Sequence, residues 1–248
     1  MGKKYKNPPI IEAVCEFRFE PGSPWDITVP GLVYEKIRDS GFPKRQPIRD
    51  VEFGVRQSAG GVEQELKTID RIRFLREDEK AFVQVGPDQL AVNHLKPYPS
   101  WAEFQPLIMK GFGAYLEVAS PKSIQRVGLR YINRIEIPGT KVKVEDYFEF
   151  YPFVGNKLPQ EFGPFIVGIE VPYEDSRDML RLLLTSVRTS SPNTIGVVLD
   201  LDYFLAKPGA VALDKISEWI NVAHDHVEDV FEACITDPLR KIFEEEKP

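Results

Sequence analysis

The stretch Arg126-Val127-Gly128-Leu129-Arg130-Tyr131-Ile132-Asn133-Arg134-Ile135-Glu136-Ile137 decides the fold. Val127, Leu129, Tyr131, Asn133, Ile135 and Ile137 share one parity. Arg126, Gly128, Arg130, Ile132, Arg134 and Glu136 share the other. Successive side chains of a strand point to opposite faces, so this two-residue period predicts a half-buried β-strand. Pro138-Gly139 ends it. The segment from Ile11 to Phe19 is written the same way, with Ala13, Cys15 and Phe17 alternating with Glu12, Val14, Glu16 and Arg18. Asn7-Pro8-Pro9 leads into it as extended chain, and Pro21-Gly22-Ser23-Pro24 breaks it.

Outward from these two strands the pattern stays regular. Pro30 opens a short helix to Asp39, with Leu32, Val33, Lys36 and Ile37 on one stripe and Gly41 and Pro43 as the stop. Residues 48–95 read as a meander, with strands Val51–Gln57, Gln64–Arg76, Lys80–Val85 and Gln89–Leu95. Gly60-Gly61, Glu77-Asp78-Glu79 and Gly86-Pro87-Asp88 stand at the reversals. Ser100-Trp101-Ala102-Glu103 has the pattern of a capping box and starts a helix that ends before Ser120-Pro121. After the strand at 126–137, the spacing predicts a short helix around Val144–Phe150 and strands over Phe165–Pro172, Met179–Arg188 and Thr194–Phe204. A long helix follows from Ala212 to Cys234. Its stripe of Leu213, Ile216, Ile220, Ala223, Val227, Val230 and Cys234 has helical period. Asp237-Pro238 starts a last short helix, and Glu244-Glu245-Glu246 is expected to fray into solvent.

The two halves, about 8–120 and 121–248, share one element order: strand, short helix, antiparallel strands, long closing helix. The expected class is α+β. A large antiparallel sheet carries two long helices, 100–119 and 212–235, on one face, within a single pseudo-duplicated domain over 1–248 of the TATA-box-binding-protein-like or helix-grip kind.

Composition bounds the function. The 248 residues include 16 Phe, 9 Tyr and 3 Trp, far too much apolar mass for a disordered chain. Lys and Arg number 32 against 38 Asp and Glu, for a net charge of −6, which argues against a non-specific nucleic-acid coat. The start, Met1-Gly2-Lys3-Lys4-Tyr5-Lys6, lacks the apolar stretch of a signal peptide and the Ser or Thr of a myristoylation site. No apolar run is long enough to span a bilayer. Cys15 and Cys234 stand at apolar positions and are expected as two buried thiols. These readings place the protein in the cytoplasm.

Several phrases are familiar together: Asn7-Pro8-Pro9-Ile10-Ile11-Glu12-Ala13-Val14, Leu95-Lys96-Pro97-Tyr98-Pro99-Ser100-Trp101-Ala102-Glu103-Phe104, Arg126-Val127-Gly128-Leu129-Arg130-Tyr131-Ile132-Asn133-Arg134-Ile135, Val198-Leu199-Asp200-Leu201-Asp202 and Phe231-Glu232-Ala233-Cys234-Ile235-Thr236. In this order they resemble a sporadically distributed prokaryotic family of uncharacterised proteins. The resemblance implies a bacterial or archaeal cytosolic protein linked to mobile-element or defence genes. It implies no activity and no catalytic residue.

Chemistry-bearing residues gather on the polar parity of the strands. Arg126, Arg130 and Arg134 form a row with about 13 Å between neighbouring α-carbons. Glu12, Glu16 and Arg18 occupy the outer side of the first strand, and Asp200 and Asp202 that of the last. Two readings follow. The charges pair across strands on a solvated face, or they form a surface for an anionic ligand or a partner segment, which the planar fork of arginine suits. Asp200 and Asp202, about 7 Å apart, could share a divalent cation with help from Glu12, Glu16 or Glu170. His224 and His226 lie on different faces of a helix, so they cannot share a metal and are expected at its surface or flank. His94 is expected in a structural hydrogen bond, and neither cysteine has an adjacent base. Gly111-Phe112-Gly113 lies within a helix and is no phosphate loop.

The sequence thus favours a non-enzymatic ligand- or partner-binding or regulatory protein. Its expected partner is a protein or a small anionic ligand, with a homodimer as a further arrangement, and no cofactor is called for. The alternative is a metal-dependent hydrolase or nuclease-like enzyme using Asp200 and Asp202. The third is a structural subunit of a complex.

Overall fold

Every segment with a two-residue period is a strand in the computed structural model of the chain. In order, the elements are β1 (Ile10–Glu20), α1 (Val29–Ile37), β2 (Lys44–Ser58), β3 (Gly61–Leu75), β4 (Ala81–Gly86), β5 (Gln89–Leu95), α2 (Trp101–Ala119), β6 (Ser123–Pro138), β7 (Ile166–Tyr173), β8 (Asp178–Val187), β9 (Thr194–Leu205), α3 (Ile216–Cys234) and α4 (Asp237–Phe243). Residues 3–22, 24–58, 61–159, 161 and 163–246 are described, those at 40 and 50–69 by backbone alone. Met1-Gly2, Ser23 and part of the Gly60-Gly61 turn fall outside them. The class is α+β: among the described residues there is one large antiparallel sheet of nine strands, in the order β2-β3-β4-β5-β1-β6-β9-β8-β7, with four α-helices. Among the described residues, no helix is long and apolar enough to cross a membrane.

The chain divides into two compact units. One contains Cys15–His94 and Pro99–Gln125; the other contains the residues up to Val14, Leu95–Tyr98 and everything from Arg126 on. In the first, α2 lies on a sheet of aromatic and β-branched side chains. Phe112 meets Phe17 at 4.8 Å and Tyr115 stacks on Phe19 at 4.7 Å between ring centroids. Gly111 lets the helix come close, since a Cβ there would stand 3.1 Å from a methyl carbon of Val92. The α2 helix continues through Pro106, because the same buried residues that hold it to the sheet outweigh one missing backbone donor.

The capping box is not formed. Ser100 is the N-cap, extended at φ −179°, but its side chain makes no capping bond. Its carbonyl instead accepts from the Phe104 N–H at 3.0 Å, so the start of the helix rests on backbone and on the buried Phe104. Two other expectations change. The segment at 144–150 shortens to a single 3-10 turn at Val144–Asp146. Leu32, placed on the stripe of α1, is 52% exposed, while Val29 and Pro30 are buried in its stead.

In the second unit α3 covers β6 and β9. Ile216, Ile220, Ala223, Val227 and Cys234 of the expected stripe are buried, and Trp219 and His224 widen it, whereas Val230 is only half-buried. Glu244 and Glu246 do not fray. The Lys6 N–H donates to the Glu244 carbonyl at 3.1 Å and the Glu246 N–H to the Lys4 carbonyl at 2.8 Å. Tyr5 explains the clasp: its ring meets Phe231 and Phe243 edge-on, and its hydroxyl donates to Glu232 at 2.7 Å.

Truncating Ile220 or Val227 to alanine should lower stability by about 1–4 kcal/mol, from lost transfer energy plus a cavity. Both are buried at 0% and 3% exposure. Urea denaturation measures the change, and losses below about 0.5 kcal/mol at both sites, the range of ordinary surface substitutions, would contradict the packing of α3.

Candidate functional site

The pleat of β6 assigns each of its side chains to a face. Tyr131 and Asn133 are buried on the side of α3: the Tyr131 hydroxyl stands 3.2 Å from Nδ1 of His224, and Asn133 donates to the Leu199 carbonyl at 3.2 Å. Arg126, Arg130 and Arg134 are therefore on the opposite face. Register then lines up charges across four strands. Arg130 of β6 stands opposite Asp202 of β9, Asp202 opposite Arg181 of β8, and Arg181 opposite Glu170 of β7.

Between β6 and β9 the side chains bond along diagonals of this row, and between β8 and β7 directly across it. Arg130 grips Asp200 with Nε at 2.8 Å and Nη2 at 2.5 Å, and Arg126 reaches Asp202 at 2.9 Å. Arg181 gives two bonds to Oε1 of Glu170, at 2.9 and 2.8 Å. Phe204 lies beneath two guanidiniums, those of Arg126 at 4.7 Å and Arg181 at 5.6 Å from its ring centre. Arg134 donates to the Arg188 carbonyl at 3.0 Å and stands 3.6 Å from Glu136. Glu136 accepts in turn from the hydroxyls of Ser191 and Thr189 at 2.7 and 3.1 Å, which ties the 188–194 turn to β6. Glu12 adds its charge to those of Asp200 and Asp202 in favouring the protonated Arg130. Glu16 belongs to the other unit, where Gln89 and Arg18 donate to it at 2.7 and 3.0 Å.

Protonation follows from burial and partners. The Asp202 carboxyl is pushed above the ordinary aspartate range by burial, against the pull of Arg126, Arg130 and Arg181. Glu136 is held below the ordinary glutamate range by the hydroxyls of Ser191 and Thr189. Asp200 gives both oxygens to Arg130, and Asp202 gives Oδ2 to Arg126. Among the described residues, no group of three or more His, Cys, Asp or Glu side chains is placed to hold a metal ion.

Sequence reasoning missed two polar groups of the same unit. Asp178 has no exposed surface, yet its carboxylate accepts from the Trp219 indole at 3.0 Å, the Tyr203 hydroxyl at 3.2 Å and Arg177 at 3.0 and 2.6 Å. A signal was present: Asp178 has the parity of the buried Leu180, Leu182 and Leu184, so it is an acid written into a core-facing position. The second is a relay. Tyr98 and Tyr131 hydroxyls are 3.0 Å apart, Tyr131 meets Nδ1 of His224, and Nε2 of His224 stands 3.4 Å from Glu228. His224 is thus buried at 7% exposure, not at the surface, because α3 turns it toward Tyr131. His226 lies 4.5 Å from the Tyr173 ring and 5.2 Å from that of Tyr203. In the other unit His94 is buried, edge-on to Phe104 at 6.4 Å.

Cys15 and Cys234 are both buried and outside any disulfide. Burial alone pushes Cys234 up to about 12, so it stays protonated and a poor nucleophile at neutral pH. No protein-family model matches the chain, and no curated protein gives a significant match. The resemblance drawn above therefore rests on its quoted phrases.

Asp178→Ala should destabilise by about 2–4 kcal/mol, since it orphans an indole N–H, a hydroxyl and a guanidinium at once. Arg130→Ala, at a pair whose arginine is 46% exposed, should cost only about 0–1 kcal/mol. Thermal unfolding compares the two, and equal losses would show that the charged row is structural.

The carboxyl pKa values can be read by 13C NMR. Asp202 should titrate above 3.8 and Glu136 below 4.5. The signs for stability differ. A raised folded-state pKa means that the contribution of Asp202 improves as pH falls through that value. A lowered one means that Glu136 stabilises above its unfolded pKa and loses this as pH falls through the folded one. Glu136→Gln should accordingly flatten the acid limb of the stability curve.

Proposed function

We propose that this is a non-enzymatic binding or regulatory protein, and that the face of β6, β9, β8 and β7 bearing the arginines receives a segment of a partner protein. The observation that carries this reading is the mixture on that face. Paired charges alternate with apolar side chains that are only half-buried, including Ile132, Val198, Leu183 and Phe204, and Ile166 at its edge is 73% exposed. Charges already paired within the sheet lose less on desolvation than free ones, and apolar neighbours gain from being covered. A small anion fits this face less well, because it would have to displace a carboxylate from each arginine. A second copy of the chain remains one form such a partner could take.

The accompanying fold reading is a pseudo-duplicated arrangement of the TATA-box-binding-protein-like or helix-grip kind. It draws support from element order, since each half opens on a long strand and closes on a helix of 19 residues. The prokaryotic, cytosolic setting and the link to mobile-element or defence genes come from the motif resemblance and are proposed with it.

Affinity capture from a native host, with Arg130→Glu alongside the parent protein, tests the reading. The expected outcome is a partner retained by the parent and lost by the variant at an unchanged thermal midpoint. A partner bound equally by both would remove the face from consideration. Stoichiometric Mg or Mn that vanishes with Asp200→Asn would instead favour the metal-dependent enzyme.

A further inference from the structure

Among the described residues the sheet ends on one side at β7. The Ser186 N–H donates to the Phe165 carbonyl at 3.0 Å, so these two residues form a hydrogen-bonded pair in line with the β7–β8 register. Such pairs alternate along an antiparallel ladder. Val167, Ile169, Val171 and Tyr173 therefore direct their backbone groups to β8, and Ile166, Gly168, Glu170 and Pro172 direct theirs away from it. All four of the latter are exposed. Three N–H donors and four carbonyls thus stand along one open edge, the missing donor being that of Pro172.

Edge strands commonly carry cations, bulges or an interior proline that discourage pairing. β2, at the other end of the strand order, has Lys44, Arg45, Pro47 and Arg49 among its first six residues. β7 has no cation, no proline before Pro172 and an unbroken register with β8. Its one charge, Glu170, is already held by Arg181. Both of its faces show apolar side chains: Ile166 is 73% exposed on the face of Glu170, and Ile169 is 47% exposed on the other.

We propose that β7 pairs with β7 of a second copy of this chain, antiparallel about a two-fold axis at Gly168. Open backbone groups call for an extended strand, and this strand is its own complement. About that axis Ile166 meets Glu170 of the partner subunit, Gly168 meets its counterpart, and Glu170 meets Ile166 of the partner subunit. Each such pair exchanges two hydrogen bonds, so every outward donor of both strands is used. On the other face Val167 falls against Ile169 of the partner subunit, which covers exposed apolar surface. Pro172 falls opposite Pro164 of the partner subunit, so the ladder stops where neither strand has an N–H to give. Charge selects this register. The two Glu170 carboxylates stay about 13 Å apart along the strands, whereas an axis at Ile169 would bring them onto a diagonal of about 7–8 Å. The pairing uses the edge and leaves the arginine-bearing face open, so its failure would not touch the docking proposed above.

Sedimentation velocity of the full chain between about 1 and 200 μM tests this. The parent protein should pass from monomer to dimer over that range. Ile169→Lys places a charge between the strands, and Ile166→Pro deletes an outward N–H while leaving every bond to β8 in place. Each should raise the dissociation constant at least about tenfold, with the thermal midpoint of the dilute protein unchanged. Hydrogen exchange reads the edge directly. The amides of Ile166, Gly168 and Glu170 should slow as concentration rises, whereas those of Val167 and Ile169 are protected at every concentration. A parent protein still monomeric at about 200 μM, a dimer that both variants leave intact, or exchange at the three outward amides that ignores concentration would each overturn the proposal. Should a variant fail to fold, exchange in the parent protein decides.

Discussion

The pleat of β6 constrains the rest of its unit. Once Tyr131, Asn133, Ile135 and Ile137 are buried against α3, the arginines between them have nowhere to go but the other face. Three cations on one strand repel unless answered, and the neighbouring strand answers with Asp200 and Asp202. Register is what makes the answer fit. The strand pairing places Asp202, which bonds Arg126, between Arg130 and Arg181, so its charge faces guanidiniums from both sides. A slip of one residue would send the acids into the core and the leucines outward. The charged lattice and the hydrophobic core thus enforce the same alignment.

Asp178 performs the complementary task on the inner face. An acid with no exposed surface persists only if its oxygens are met by donors. Trp219 on α3, Tyr203 on β9 and Arg177 at the head of β8 meet them from three directions. The helix is therefore fastened to the sheet by a directional contact as well as by Ile220 and Val227. Apolar packing tolerates sliding along a smooth surface; a carboxylate bonded to an indole fixes the helix along its axis.

Much of this was legible in the sequence. Alternation located β1 and β6 and turn residues bounded the other strands, although β2 starts at Lys44 and not at the expected Val51; the face of the three arginines followed from parity alone. What escaped depends on which residues meet in space. The capping pattern at Ser100-Trp101-Ala102-Glu103 describes what a serine can do, and here its carbonyl and the burial of Phe104 suffice. His224 reads as a surface or flank residue because its own helix offers no reason to bury it; the reason is Tyr131, 93 positions earlier in the chain. The partnering of Arg130 with Asp200 was one of two open readings, since parity fixes a face but not a hydrogen bond.

The two cysteines have a practical meaning beyond their inertness. Cys15 sits in one compact unit and Cys234 in the other, each sealed from solvent. A thiol of this kind can be alkylated only in molecules whose surroundings have transiently opened. The chain therefore carries one intrinsic clock per unit. Timed labelling read by mass spectrometry would report two opening equilibria separately, and the difference between them would measure how far the units unfold as one.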